Sequence, residues 1–376
     1  MNLINHFKSR QEEMISLLEE IVTKESPSAD KKAMDACSSF LIKEFKKLGT
    51  KITRFPQKDI GDLYLVEYPP SDIGVKRDQI LLLTHLDTVW PVGKIKEMPF
   101  YVSGNKVYGP GVLDMKAGLV MVIFSLRVLK ELKIKPRKKI AVFINSAEEI
   151  GSKHSYDVLK KIVKKYSSVL CLEPALPGGH LKIQRKGRLV LRLQAQGKAA
   201  HGGTPEKGIN AIEELLLQLL FLQKIKTKEI TLNIGLIGGG EKANIVPKEA
   251  WAILDVRFWK DARREKIISF FKQLKPQLEG ARLKFSVESF TPPMEKTPAS
   301  SNLFRQIRKI GATLNMNLEG GKTGGGSDAS IASNMGIPTV DGLGPDGEGI
   351  HSENEHLLLS SLVERTALLT EILCQL

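Results

Sequence analysis

The 376-residue chain has three cysteines, 6% aromatic residues and no long apolar run. Cys37, Cys171 and Cys374 are odd in number, lie far apart and form no CxxC pair, which argues against a disulfide framework or a thiolate zinc knot. The longest uncharged apolar stretch, AGLVMVIFSL at 117–126, stops at Arg127, well short of the ~20 residues a membrane-spanning helix needs. The N-terminal segment MNLINHFKSRQEEMISLLEEIV places Ile4, Phe7, Met14, Leu17, Leu18 and Ile21 at roughly helical spacing among charges, with no apolar h-region or small-residue cleavage site. No secretion signal and no membrane span are therefore expected, and the expected location is cytoplasmic. Internal repeats and low-complexity tracts are also missing.

The net charge of +14 invites a nucleic-acid reading, but its distribution does not support one. KEFKKLGTK (43–51), KKIVKK (160–165) and DARREK (261–266) mix lysine and arginine with apolar positions, as solvated helix faces do. The densest cluster, KIKPRKK at 133–139, falls between a helix and a strand, where lysines suit a helix C-terminus. No aromatic-interleaved basic patch accompanies them, so no nucleic-acid partner is expected. The remaining use of the charge is attraction of a small anionic substrate. GGKT at 320–323 mimics the end of a phosphate-binding loop, but the pattern requires glycine where Met316 stands.

From 79 to 175, strands alternate with helices: QILLLTH, KAGLVMVIFSLRVLKELK, KIAVFINSA, YDVLKKIVKKY and SSVLCLEP. The strands are near-continuous apolar runs, which predicts a mostly parallel sheet covered on both faces, with ligands beyond the carboxyl ends of its strands. Near 183 the texture changes. GRLVLRLQAQGK alternates apolar and polar residues, and a helix (208–226), strands TLNIGLIG and AWAILDVRFW, a helix (261–279) and strand RLKFSVESF follow. That β-α-β-β-α-β order is the split pattern of a ferredoxin-like domain. FTPPMEKTP is the expected exit linker. The α/β texture then resumes with helix NLFRQIRKIGATL, the glycine-rich GGKTGGGSD, strand IPTVDGLG and a closing helix. The order reads as a small domain inserted into a larger one, with boundaries 1–182, 183–292 and 293–376.

Several polar groups gather at strand ends. His85 and Asp87, in HLD, are read either as an ordinary satisfied pair or as a metal ligand with the carboxylate that orients its ring. Asp114, in YGPGVLDMKAG, is an N-cap or a ligand. Glu148 and Glu149, in NSAEEIGS, are a solvated acidic pair, or one faces a metal while the other faces its water. Glu173, in LCLEPA, follows an apolar strand and needs a partner. His351 sits in the glycine-flanked GEGIHSENEH. In the inserted domain, His201 in AAHGGTPEKG is a surface or capping histidine unless a site claims it, and Arg257 in LDVR reads as a strand-surface ion-pair residue. Gly324, Gly325 and Gly326 are a flexible connection or a set of bare backbone N–H groups for an anion.

Taken together, THLDTVW, YGPGVLDMKAG, NSAEEIGS, CLEPA, GKAAHGGTPEKGINAI, ANIVPKEAWAILDVR, TGGGSDAS and GIHSENEH resemble, in order, the co-catalytic zinc peptidase and amidohydrolase family. That family includes glutamate carboxypeptidase, acetylornithine deacetylase, succinyl-diaminopimelate desuccinylase and aminoacylase-1. The likeness runs from about residue 60 to the end, and TGGGSDAS and DGLGPDGEGIHSE bring it nearest the glutamate carboxypeptidase branch. It implies an α/β fold: a mostly parallel, three-layer zinc-peptidase-like catalytic domain carrying an inserted ferredoxin-like α+β lid and dimerisation domain. It also implies that His85, Asp114 and Glu173 hold one metal and that Asp114, Glu149 and His351 hold the other. Glu148 then matches the general base, His201 the histidine that polarises the substrate carbonyl, often across a homodimer, and Asn244, Arg257 and Gly324–Gly326 the grip on the substrate carboxylate.

Nitrogen and oxygen ligands without cysteine suit two Zn2+ ions, with Co2+ or Mn2+ as substitutes. The implied reaction is hydrolysis, by a metal-activated water, of the amide of a C-terminal amino acid or an N-acyl amino acid, with glutamate as one candidate product. Glu173, where aminopeptidase relatives tend to carry aspartate, favours carboxypeptidase or deacylase. In that branch, glutamate preference draws on a basic residue in the next loop. Here that loop, ALPGGHLKIQRKG, is one residue shorter and offers His180 or Lys182. The rival reading is a metal-free, non-catalytic protein that binds peptides or amino-acid derivatives on the same fold.

Overall fold

The computed structural model describes residues 2–68 and 79–376. They form two compact units: Met1–Gln184 with Lys296–Thr323 and Ser327–Leu376, and Arg185–Glu295 with Gly324–Gly326.

The first unit is built on a sheet of β1 (Lys51–Phe55), β2 (Leu63–Tyr68), β3 (Gln79–His85), β4 (Lys139–Asn145) and β5 (Ser168–Cys171). Their order is β1-β2-β4-β3-β5, followed by the two-residue strand Thr339–Val340. β3, β4, β5 and Thr339–Val340 run parallel, whereas β1 and β2 are antiparallel additions at one edge. Ile80 to Leu83 are all buried, and because successive strand residues face opposite sides, both faces of the sheet are covered. Ile80 and Leu82 pack in a core with helices Ala117–Glu131 and Leu359–Gln375. Helix Ala117–Glu131 is buried on nearly every side, which is why its sequence lacks a polar stripe. Helices Leu3–Ser9, Gln11–Thr23 and Lys31–Lys47 add Phe7, Met14, Ile21, Met34, Leu41 and Phe45 to that core. IPTVDGLG contributes only two residues to the sheet, because Asp341 leaves it to exchange backbone hydrogen bonds with Lys182 (2.8 and 3.0 Å).

The second unit is an antiparallel sheet of β6 (Gly187–Gln196), β7 (Ile230–Gly239), β8 (Glu249–Phe258) and β9 (Arg282–Thr291), in the order β7-β8-β6-β9. With helices Ala211–Leu222 and Ala262–Lys272, the chain follows the β-α-β-β-α-β order. Leu189, Leu191 and Leu193 of β6 alternate inward against Leu215, Leu219 and Phe271 of those helices. Both helices are shorter than their apolar patterns suggest. The second ends ahead of Pro276, and buried Glu214 then accepts the backbone N–H groups of Gln277 (3.0 Å) and Leu278 (2.7 Å), fixing the chain in a non-helical course. Among the described residues, no helix is long and apolar enough to cross a membrane.

Candidate metal centre

Register alone carries most of the centre to one rim of the first unit. β3 and β4 pair with His85 beside Asn145, and β3 and β5 pair with Leu83 beside Cys171. Two further residues along each of β3 and β5 bring the chain to His85 and Glu173, while the turn after Asn145 supplies Glu148 and Glu149. Asp114 comes from the turn preceding helix Ala117–Glu131. His351, at φ 60°, comes from the loop before strand His356–Leu358.

The Asp114 carboxylate lies between two imidazoles. Its Oδ1 is 3.1 Å from His85 Nε2, and its Oδ2 is 3.5 Å from His351 Nε2. His85 Nε2 is also 3.5 Å from Glu173 Oε1, and His351 Nε2 is 3.1 Å from Glu149 Oε2. Two sets of donor atoms, His85–Glu148–Glu173 and His85–Asp114–Glu149, each lie within 4.8 Å of one another. His85, Asp114 and Glu173 are buried, Glu148 and Glu149 half-buried, and His351 exposed. Among the described residues, no hydrogen bond engages the Glu148 carboxylate.

Asp87 does more than stand beside a histidine. Its backbone carbonyl lies 3.0 Å from His85 Nδ1, while the carboxylate Oδ1 is 3.5 Å away. That carboxylate accepts the backbone N–H groups of Glu148 (3.1 Å) and Glu149 (3.0 Å) and the Ser28 hydroxyl (2.6 Å), so it locks the acidic turn to β3.

Two buried acids escaped the reading of the sequence. Glu355 accepts the backbone N–H groups of Gly111 (3.1 Å), Leu113 (2.9 Å) and Asp114 (3.1 Å), holding the Asp114 turn in place. Asp328 accepts from Asn145 Nδ2 (2.6 Å) and the Ser152 hydroxyl (2.5 Å), closing the turn that carries Glu148 and Glu149 from its other end. Only their local settings, ENE after His351 and GSD after the glycine run, are visible in the sequence. The partners lie far away along the chain.

The electrostatics of the bare cluster show what charge it is built for. Burial raises the Glu148 carboxyl well above its ordinary range, with the charge of Glu173 next in effect, and burial also raises Glu149. Hydrogen bonds to Asp114 and Glu149 draw His351 up to about 10. At His85, burial opposes protonation, but bonds to Asp114 and other acidic neighbours win and raise it. Burial likewise opposes ionisation of Asp114, yet the two histidines hold it well below the usual carboxylate range. Crowded acids pushed towards neutrality and imidazoles pulled towards protonation mark a site short of positive charge, which divalent cations would supply. Carboxylates and imidazoles are donors such ions accept.

The second unit brings other expected residues together. His201 bridges Ile245, and Gly202 donates its N–H to the Asn244 carbonyl at 2.7 Å, so the His201 and Asn244 loops are stitched side by side, both exposed. The His201 Nδ1 accepts the Gly203 N–H at 3.0 Å. Arg257 donates to Asp255 through Nε (2.9 Å) and Nη2 (3.2 Å), and to the Gly324 carbonyl through Nη1 (2.7 Å). Buried Arg185, which the sequence did not single out, holds the carbonyls of Gly325 (3.2 Å) and Gly326 (2.8 Å). The glycine run is therefore pinned by two guanidiniums through its carbonyls. In the first unit, His180 Nδ1 accepts the Glu319 N–H (3.2 Å) and Lys182 is buried.

This fold and this cluster define a zinc-type metallopeptidase or amidohydrolase with a dinuclear-type site. The chain belongs to peptidase family M20/M25/M40, whose sequence profile matches residues 81–375. It is 30% identical over 381 residues to carboxypeptidase G2 of Pseudomonas sp. (strain RS-16), covering 97% of this chain and 90% of that protein. Two solved structures share the fold. Aminopeptidase PepT from Bacillus cereus ATCC 10987 superposes with TM-score 0.80 at 22% identity, covering 96% of this chain and 98% of that one. The M20 family metallo-carboxypeptidase Sso-CP2 from Sulfolobus solfataricus does so with TM-score 0.75 at 18% identity, with the same coverage of each.

Proposed function

We propose that this hydrolase releases a free amino acid from the C-terminus of a small peptide or from an N-acyl amino acid. The observation that carries the reading is the position of Asp114, one oxygen towards His85 and the other towards His351. In this reading His85, Asp114 and Glu173 hold one ion and Asp114, Glu149 and His351 the other, zinc in both places, with cobalt or manganese able to substitute. Bound there, the ions supply Lewis acidity that polarises the scissile carbonyl and acidifies water.

The chain's own residues divide the remaining work. Glu148, whose carboxylate no hydrogen bond engages among the described residues, removes a proton from water and passes it to the leaving nitrogen. Asp87 keeps Glu148 in range by holding its backbone N–H. The family resemblance assigns carbonyl polarisation to His201 and substrate-carboxylate binding to Asn244, Arg257 and Gly324–Gly326. A guanidinium suits that task because it pairs with a carboxylate through two donors and stays charged. Likeness to a protein named carboxypeptidase supports the C-terminal reading. Segments 1–182 and 293–376 form the catalytic domain, which carries the metal ligands and Glu148, and 183–292 serves as lid and dimerisation domain.

A homodimer accords with the apolar surface of the second unit. Leu220 is 70% exposed on helix Ala211–Leu222, and Leu236 is 60% exposed on β7, an edge strand with an unpaired side.

The test is metal analysis of the purified protein, followed by amino-acid release from a panel of N-acyl amino acids and dipeptides. About two ions per chain and chelator-sensitive release are expected. Bound metal without release from any member overturns the proposed reaction. Absence of both favours a metal-free binding protein.

A further inference from the structure

Beside Glu149 lies a groove of about 560 Å³ whose apolar lining comes from Pro27, Ala29, Val89, Pro91, Val92 and Ile150. Val89, Val92 and Ile150 are 44%, 57% and 49% exposed, so three large apolar side chains from two separate segments lie open to water beside the metal cluster. Exposure of this kind costs free energy and marks a surface that something apolar covers.

The walls are fixed rather than incidental. Thr88 donates its N–H to the Ser26 carbonyl (2.9 Å), Ser28 donates its N–H to the Thr88 carbonyl (3.3 Å), and the Ser28 hydroxyl bonds Asp87. The Asp87 carboxylate that orders Glu148 and Glu149 therefore also ties the Ser26–Ser28 segment to the strand end leading into Val89–Val92. The groove and the cluster share one brace and one wall, Glu149.

The charge of the groove narrows its occupant. Among the described residues, no lysine, arginine or histidine lines it, although the chain as a whole carries +14. Its two acids are already engaged: Asp30 accepts the Ala33 N–H at 3.0 Å as a helix cap, and Glu149 meets His351. An anionic acyl group would find no lysine, arginine or histidine in that lining to pair with, while an uncharged hydrocarbon would cover the exposed side chains.

We infer that this groove is the acyl subsite of the enzyme and takes an uncharged, apolar acyl group on the carbonyl side of the scissile amide. The inference rests on the proposed amide hydrolysis and adds the class of substrate to it.

The test compares kcat/KM of the zinc-loaded enzyme for N-acetyl, N-hexanoyl, N-benzoyl and N-succinyl derivatives of one amino acid. The hexanoyl and benzoyl compounds are expected to exceed the acetyl compound by roughly tenfold or more, and the succinyl compound to fall below both. Val92→Asp, on an exposed loop position, should bring the hexanoyl-to-acetyl ratio close to one, and Ile150→Asp should do the same. Binding is read separately by saturation-transfer NMR of the N-hexanoyl compound with zinc-loaded Glu148→Gln protein. The chain-terminal methyl should receive strong saturation, and lose it in the Glu148→Gln, Val92→Asp double variant. A hexanoyl-to-acetyl ratio at or below one, succinyl preference, or a terminal methyl without saturation overturns the groove's assignment. No release from any derivative, with saturation at that methyl, instead overturns the proposed reaction and leaves the groove upheld.

Discussion

His85 and His351, from two separate segments of the first unit's sequence, present their Nε2 atoms to the two different oxygens of Asp114, at 3.1 and 3.5 Å. One carboxylate thus joins two half-sites that the chain supplies from separate elements. Replacing Asp114 with alanine removes the shared ligand from both. Zinc retained after gel filtration should fall from about two equivalents to below one, read by plasma mass spectrometry. Retention of both ions would show that Asp114 does not bridge.

Glu148 belongs to one of the close donor sets, so a ligand role and a proton-transfer role make different predictions for it. With proton transfer, Glu148→Gln keeps its full zinc content while turnover drops by ~10² or more. Loss of zinc in that variant would place Glu148 among the ligands, and wild-type turnover would remove it from the mechanism.

Among the described residues Glu355 makes no hydrogen bond or ion pair with a candidate ligand side chain, yet its carboxylate receives three backbone N–H groups from the turn that carries Asp114. Glu355→Ala leaves those donors without their acceptor, which costs roughly 1–3 kcal/mol for each that stays buried and unpaired. Zinc affinity should weaken by roughly 10- to 100-fold, as it does when residues supporting metal ligands are removed. Competition with a chromophoric chelator measures this, and Glu355→Gln, which retains an acceptor, should recover part of it. Unchanged affinity in both variants would confine Glu355 to a purely structural part.

The exposed leucines of the second unit predict a dimer that charge can split. Wild-type protein should elute at twice the chain mass in light-scattering chromatography, and Leu220→Asp or Leu236→Asp should shift it towards the monomer. Where His201 acts across subunits, mixing His201→Ala with Glu148→Ala protein restores activity as hybrid dimers form. No rescue under proven subunit exchange would return His201 to its own chain.

The sequence displays the sheet and its rim clearly because both are written locally. QILLLTH, KIAVFIN and SVLC are apolar runs without alternation, and each stops where an acid or imidazole follows closely, so the strands and their chemistry appear in one reading frame. The alternating GRLVLRLQAQ is equally direct, since its period fixes which side chains face the helices. KITRF is different: it is short, nowhere fully buried, and the adjacent Thr53 and Arg54 break any polar–apolar alternation, so β1 has no signature that separates it from a loop. Glu355, Asp328 and Arg185 were missed for another reason. Each acts on backbone or side-chain groups distant in sequence, and nothing in ENEH, GSDA or QRKG indicates which distant turn folds back to meet it. Arg257 shows the reverse case. Its local reading as an ion-pair residue agrees with the Asp255 contact, and the additional bond to the Gly324 carbonyl emerges only from the fold.

The most direct test of the two-ion centre is an anomalous difference map, collected at the zinc edge, from crystals of zinc-loaded protein. Two peaks are predicted, one bounded by His85, Asp114 and Glu173 and the other by Asp114, Glu149 and His351. A single peak, or peaks that leave Asp114 outside their coordination, would contradict the account.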